Sequence, residues 1–473
     1  MLKHTQIFVN GQWIDSTATD SIDVVNPVTE EVIATVPRGT AVDVDHAASA
    51  AADAFQEWSR SSIEERSHVL RKLADLIEER ADDITRTIVS EIGQPLAQTG
   101  NAQTATPIAD LRNYADSLRD IVWREPIRSS TSVVQRLPAG VVGAIGAWNG
   151  PLRSVVLKAG AAIAAGCTVV VKGSEVAPLT SFVLADLVTE AGLPPGVFNL
   201  VAGDGPEVGE AIASHPLVDM VSLTGSVRAG QRVMELASRS IKRVALELGG
   251  KSASVVLEDA DLEHAITLGL EDAFRNSGQV CGSLSRVLVP KSRLREAEEL
   301  AVAKAESYVL GDPYDPATTL GPVANANQRD RVRSHIQRGL DDGTRLLTGG
   351  PEKPELLERG FFVKPTLFTG DNQSRIARDE VFGPVVVFIP YSNEDEAISI
   401  ANDSSYGLAG AVWAADPARA RKVAGRIRTG RVRINGTPID MRAPHGGFKL
   451  SGIGREMGRH GIEEFLEYQS VHG

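Results

Sequence analysis

Cysteine is almost missing from this chain: its 473 residues include two, Cys167 and Cys281. Two thiols cannot build the disulfide framework of a small secreted scaffold, and both are expected to stay reduced. Basic runs are absent too. The 49 lysines and arginines are outnumbered by 61 acidic residues, giving a net charge of −12, which excludes the basic patch that nucleic acid requires. No apolar run approaches the roughly 20 residues of a membrane span; the most apolar stretch, 137–152, is broken by glycines and two prolines. The N-terminus MLKHTQIFVNGQWIDS has neither the apolar core of a signal peptide nor the arginine richness of a transit peptide. Repeats are lacking, and no metal is expected. The expectation is a cytoplasmic protein whose partners are small molecules, not nucleic acid or membrane.

What is present is an ordinary globular composition, 42% hydrophobic and 23% charged, long enough at about 100–200 residues per domain for two to four domains. From residue 140 to 240 strand-like and helix-like segments alternate: GVVGAIGAW, then PLRSVVLKAGAAIAAG, CTVVVKG, PLTSFVLADLVTEAG, VFNLVAG, GPEVGEAIASH, DMVSLTG and SVRAGQRVMELASRS. Such alternation predicts right-handed crossovers and a doubly wound parallel sheet of the dinucleotide-binding type. After residue 245 the pattern restarts with VALELGG, SASVVLE, a helix over 261–276, RVLVP, a helix in RLREAEELAVAKAESYV and RVRINGT, a second α/β domain. SSTSVVQRLPAG, residues 129–140, alternates polar and apolar residues. It reads as an exposed strand open to pairing with another chain, a candidate oligomerisation element.

Cys281 lies in FRNSGQVCGSLSR, among glycine, glutamine and serine rather than core residues. A nucleophilic cysteine needs thiolate character, open approach and donors for the oxyanion it creates; Gly278, Gly282 and the Cys281 N–H can supply the last two. The bland alternative is an inert buried thiol, which is the reading for Cys167 beside the apolar TVVVK. Glu247 in VALELGG is a carboxylate in an apolar strand. Burial would raise its pKa toward that of a general base; alternatively, strand alternation turns it to solvent. VVVKGSE ends a strand with Lys172, Ser174 and Glu175, where parallel sheets bind nucleotides, although KGSE alone is also a plausible charged loop. A carboxylate there can accept both ribose hydroxyls and repels a 2′-phosphate. GDGPEVG, with Gly205 and Gly209, follows a strand and opens a helix, whereas GIGREMG at 452–458 reads as a tight turn. In LTGSVRAG, with Gly225 and Gly230, Ser226 can cap a helix whose free N–H groups would face a pyrophosphate.

FRNSGQVC, LELGGK, AWNGPL, VVVKGSE, LTGS, DEVFGPV and GGFKLSGIGREMG, with FVNGQW and VVNPVTEEVIATVP near the start, resemble in order and spacing the NAD(P)-dependent aldehyde dehydrogenase superfamily, over almost the whole chain. The resemblance implies a doubly wound cofactor domain (1–115 and 139–246), a second α/β catalytic domain (247–440), bridging and oligomerisation segments (116–138 and 441–473) that include a small β element, and a homodimer or homotetramer. It implies oxidation of an aldehyde to an acid, with Cys281 as nucleophile, Glu247 as the base for thioester hydrolysis, and Asn149 with the Cys281 N–H as oxyanion hole. Lys158 and Glu456 match positions linked to a proton path. Lys172, Ser174, Glu175 and Ser226 match adenosine and pyrophosphate contacts, Glu380 and Phe382 the nicotinamide riboside contacts, and Trp148 and Leu248 fall among the cofactor-binding positions. NAD is expected over NADP because of Glu175. A CoA-acylating enzyme and a silent binding protein on the same fold are the alternatives. Ala147, Gly150, Gly173 and His445 depart from the usual proline, phenylalanine, proline and phenylalanine. Gly150 and His445 are expected to reshape the aldehyde pocket, with His445 either a satisfied loop histidine or a pH-sensitive pocket group.

Overall fold

The computed structural model describes residues 2–355 and 357–473. Two large sheets dominate it. In the first, five parallel strands run in the spatial order Arg243–Glu247, Met220–Thr224, Val141–Ile145, Thr168–Lys172 and Phe198–Leu200. In chain order that is 5-4-1-2-3, so the direction of winding reverses between Val141–Ile145 and Met220–Thr224. Beyond Phe198–Leu200 the sheet is extended by the antiparallel hairpin Gln6–Val9 and Gln12–Asp15, and beyond Arg243–Glu247 by the short antiparallel strand Gly452–Ile453. That last pairing draws the turn-like GIGREMG segment onto the sheet beside Glu247.

Burial on both faces explains why these strands are near-continuous runs of valine. Val169 and Val171 point into a core with Leu70, Phe182 and Ala161, while Val170 between them packs with Val44, Ala48 and Val221 on the other face. Each fully buried valine contributes roughly 1.5–3 kcal/mol. The second sheet has the order Arg345–Thr348, Thr366–Thr369, Val385–Tyr391, Arg286–Pro290, Ala253–Val256, Ala409–Trp413 and Arg431–Ile434, antiparallel only at the first pair. The same alternation splits its residues, with Val255 and Leu288 on one side and Val256 and Val287 on the other.

Two expectations need correction. The helix read across 151–166 is not uniform: Pro151–Val155 and Ala161–Ala165 flank a π-helical turn, Val156–Gly160. Strand Val133–Pro138 is not an edge open to another chain. It is the middle strand of a three-stranded antiparallel sheet, paired along its whole length with Leu466–Val471 and at its start with Arg124–Pro126. No helix among the described residues is long and apolar enough to cross a membrane.

Candidate active site

Parallel strands present all their carboxyl ends on one edge of a sheet, and where the winding reverses the loops there part to leave a crevice. The first sheet brings Trp148 and Asn149, which follow Ile145, alongside Gly225 and Ser226, which follow Thr224; Gly173, Ser174 and Glu175 follow Lys172 on one side, and Glu247 closes its strand on the other. The second sheet meets this edge with its amino ends. Gly250, Cys281, Phe382 and Arg431 each stand at or just before the start of one of its strands. Residues far apart in sequence therefore converge where the two sheets face each other.

Cys281 is delivered by a strained loop. Helix Leu262–Phe274 ends, and Asn276, Ser277 and Gly278 follow with φ of 50°, 55° and 74°. Two successive left-handed residues other than glycine cost of order 1–3 kcal/mol each. Side chains hold them there. Ser277 Oγ donates to the Gly321 carbonyl at 2.7 Å, and buried Gln279 donates from Nε2 to the Asn276 carbonyl at 2.9 Å while its Oε1 accepts from Ala324 N–H at 2.9 Å. Gly250 packs directly against the Cys281 carbonyl, in space that a Cβ would fill. Asn149 is oriented from both ends: Nδ2 donates to the Gln279 carbonyl at 2.9 Å, and its own carbonyl accepts from Gln103 Nε2 at 2.9 Å and Asn276 Nδ2 at 3.2 Å.

Glu247 is buried, not turned to solvent, and neither carboxylate oxygen has a hydrogen-bond partner. Burial, then the neighbouring Glu456 carboxylate, raises its pKa well above the ordinary range, against Lys158, Arg455 and Arg431. Burial and the Glu247 carboxylate likewise push the Cys281 thiol up to about 11, against the charge of Arg431. A thiol so placed holds its proton more tightly than an exposed one. Lys158, on the π-helical turn, donates from Nζ to Glu456 Oε1 at 2.5 Å and to Thr224 Oγ1 at 2.5 Å, wholly buried. Irregular helical turns of this kind cluster at functional sites. Cys167 is core as expected, buried and bonded through Sγ to the Phe465 carbonyl at 3.5 Å.

At the carboxyl edge of the first sheet, Lys172 is buried and pairs with Glu175 at 2.9 Å, its chain 3.8 Å from where a Cβ on Gly209 would stand; Gly205 faces open space. Ser174 Oγ accepts from Val176 N–H at 3.2 Å, a loop-forming bond. Ser226 caps helix Val227–Ser238 by accepting from Ala229 N–H at 3.2 Å. Leu248 packs on Gly230, where a Cβ would lie 2.7 Å from its side chain. Glu380 nests against the Gly249–Gly250 turn, with Oε1 accepting from Gly250 N–H at 3.0 Å. Trp148 and Phe382 meet edge to face at 5.3 Å across the two sheets. Every expected site residue thus borders the meeting of the two sheets or the carboxyl edge of the first sheet beside it, although Ser174 and Leu248 make structural contacts there.

Sequence reading missed Gln103, Asn276, Gln279, Thr224 and Arg431. Gln279 and Asn276 had a signal, as amides inside a glycine-rich segment next to Cys281. Gln103 had none, because only the fold carries it to Asn149. Arg431 and His445 line a cavity of about 510 Å³ with Arg433, Thr437 and Met457.

A family model for the aldehyde dehydrogenase family matches residues 13–471. The chain belongs to the aldehyde dehydrogenase family. Among its relatives is 3-succinoylsemialdehyde-pyridine dehydrogenase of a Pseudomonas species, 45% identical across 100% of this chain and 99% of the relative. Two solved aldehyde dehydrogenases superpose with a TM-score of 0.97. One is a cysteine-to-alanine mutant of aldehyde dehydrogenase C from Pseudomonas syringae complexed with NAD+ and octanal, 44% identical and covering 99% of this chain and 96% of its own. The other, from Mycobacterium tuberculosis and complexed with NAD+, is 40% identical and covers 99% of this chain and 98% of its own. This aldehyde dehydrogenase therefore has the α/β fold expected of it.

Proposed function

We propose that this aldehyde dehydrogenase oxidises a small aldehyde to its carboxylic acid with NAD, through a thioester on Cys281 that is hydrolysed by water activated by Glu247. The observation that carries the reading is a buried carboxylate with no hydrogen-bond partner, Glu247, beside a thiol it is close enough to perturb. Buried charges are otherwise paired. An unpaired base facing a nucleophile is an arrangement for moving a proton.

The crevice fits a dinucleotide. The capped start of helix Val227–Ser238 offers free N–H groups to a pyrophosphate, Glu175 offers a carboxylate to ribose hydroxyls, and Glu380, Phe382 and Trp148 border the other end. Lys172, Gly205 and Gly209 complete the nucleotide edge. When bound, NAD supplies a hydride acceptor.

The residues divide the chemistry as follows. Cys281 releases its proton to water, not to Glu247, and its sulfur adds to the aldehyde carbon. The new alkoxide is held by Asn149 Nδ2 and the Cys281 N–H, preorganised donors that stabilise charge as it develops. Loss of hydride leaves a thioester. Glu247 then takes a proton from water, the oxygen adds to the thioester carbon, the carbon–sulfur bond breaks and the thiol is restored. Lys158 and Glu456, hydrogen-bonded to each other beside Glu247, offer a buried polar path for the proton once water bridges the gap to the carboxylate.

In this reading residues 1–115 and 139–246 hold NAD, 247–440 carry the nucleophile, and 116–138 with 441–473 bridge copies of a cytoplasmic homodimer or homotetramer. The test is NADH formation over a panel of aldehydes that includes octanal, with and without CoA. NADH and free acid without CoA are expected; NADH formed only with CoA, or none from any aldehyde, overturns the proposal.

A further inference from the structure

We infer that His445 is a positioning residue for Glu247: held by Arg431, it places its Nε2–H beside the carboxylate, within a small ring movement of a hydrogen bond, and favours the ionised, water-activating form. The inference rests on the reading of Glu247 as the base.

The geometry fixes the tautomer. Arg431 Nη1 lies 3.2 Å from His445 Nδ1, and a guanidinium can only donate, so Nδ1 accepts. A neutral imidazole with Nδ1 accepting carries its proton on Nε2. That atom lies 3.4 Å from Glu247 Oε2, and a shift of about half an ångström brings the pair to ordinary hydrogen-bond length. The backbone restrains the ring as well. His445 N–H donates to the Glu456 carbonyl at 2.8 Å and Glu456 N–H returns a bond to the His445 carbonyl at 2.7 Å, tying the histidine to the residue that pairs with Lys158.

The ring is neutral while it does this. Burial, and then the charges of Arg431, Arg153, Lys158 and Arg455, hold its pKa well below the ordinary value. Glu247 itself faces Glu456, which opposes its ionisation, and Lys158, Arg455 and Arg431, which favour it. None of these is within hydrogen-bond distance of its oxygens. His445 Nε2, at 3.4 Å, is a donor within reach of Oε2. Where the aldehyde dehydrogenase family usually has phenylalanine, this chain has a group that can bond the base.

The sign follows. A donor to the ionised carboxylate lowers the pKa of Glu247, so removing it raises that pKa, and water activation, which needs the ionised form, sets in only at a higher pH than in the wild type. The probe is 4-nitrophenyl acetate, which acylates Cys281 with release of nitrophenolate and leaves an acetyl thioester for water to cleave, without NAD. The wild-type deacylation rate is expected to rise with pH to a plateau. In His445→Phe the nitrophenolate burst is expected to persist while the midpoint of the rise moves up by about one pH unit; His445→Leu serves the same purpose if the phenylalanine variant does not fold. His445→Gln, which keeps an N–H donor, is expected to stay near the wild-type midpoint. A wild-type midpoint in both donorless variants overturns the inference, even if their rates fall at every pH. A rising limb that survives in Glu247→Gln instead overturns the base assignment itself, and with it this inference.

Discussion

Glu175 shows how much one side chain can decide and how far. Its carboxylate stands at the end of strand Thr168–Lys172, opposed to a 2′-phosphate, yet it is 42% exposed and already paired with Lys172. Solvent and the lysine both weaken the repulsion. The expected preference in kcat/KM is therefore moderate, about tenfold for NAD over NADP, equivalent to about 1.4 kcal/mol. Glu175→Ala should bring the two cofactors close to parity; an unchanged ratio places the discrimination elsewhere. Single residues were also where the sequence was most legible. Cys281 and Glu247 stood out because each broke the composition around it, a thiol in a polar loop and a carboxylate in an apolar strand. His445 was noticed as a departure, but its contact with Glu247 was not visible, since that depends on a bridge between 445 and 456 and on an edge strand that carries Arg431.

Secondary-structure elements set the site by where they end. The Gly249–Gly250 turn separates the last strand of one sheet from the first of the next, and its second glycine lies against the Cys281 carbonyl. In Gly250→Ala the new Cβ would meet backbone, which cannot rotate away, so the Cys281 loop must move. A displacement of about 1 Å costs on the order of a hundredfold in rate. The expected record is a fall in kcat of that size with NAD affinity, read by fluorescence quenching, largely kept; wild-type turnover would show that the loop is not held there. The alternation of strands and helices was legible because both faces of each sheet are buried, which writes continuous apolar runs into the sequence. The π-helical turn at Lys158 was not, because the segment around it is buried on nearly every side and so carries no amphipathic face whose phase one extra residue would shift.

At the scale of the whole molecule, a doubly wound parallel sheet could be expected from the sequence, but its strand order and the closure of the first sheet by Gly452–Ile453 could not. That strand is two residues long and pairs across more than 200 positions, with no periodicity to reveal it. The same limit misled the reading of Val133–Pro138, whose alternation does not show its partner Leu466–Val471. On that sheet Leu137 and Val471 lie on one face and are 37% and 41% exposed. Exposed apolar residues on a small sheet suit a subunit contact. Light scattering is expected to report a dimer or tetramer for the wild type and a smaller species for the double variant Leu137→Lys, Val471→Lys; a wild-type monomer contradicts the oligomer proposal.

The central claim is a covalent acyl group on Cys281 that awaits a base at Glu247. It is tested most directly by mixing Glu247→Gln with NAD and an aldehyde it oxidises, then measuring the intact mass and the mass of the peptide containing Cys281. The account predicts a burst of NADH followed by slow turnover, with the acyl mass retained on Cys281 and absent in Cys281→Ala. Steady NADH production by Glu247→Gln at the wild-type rate, or turnover by Cys281→Ala, would contradict it.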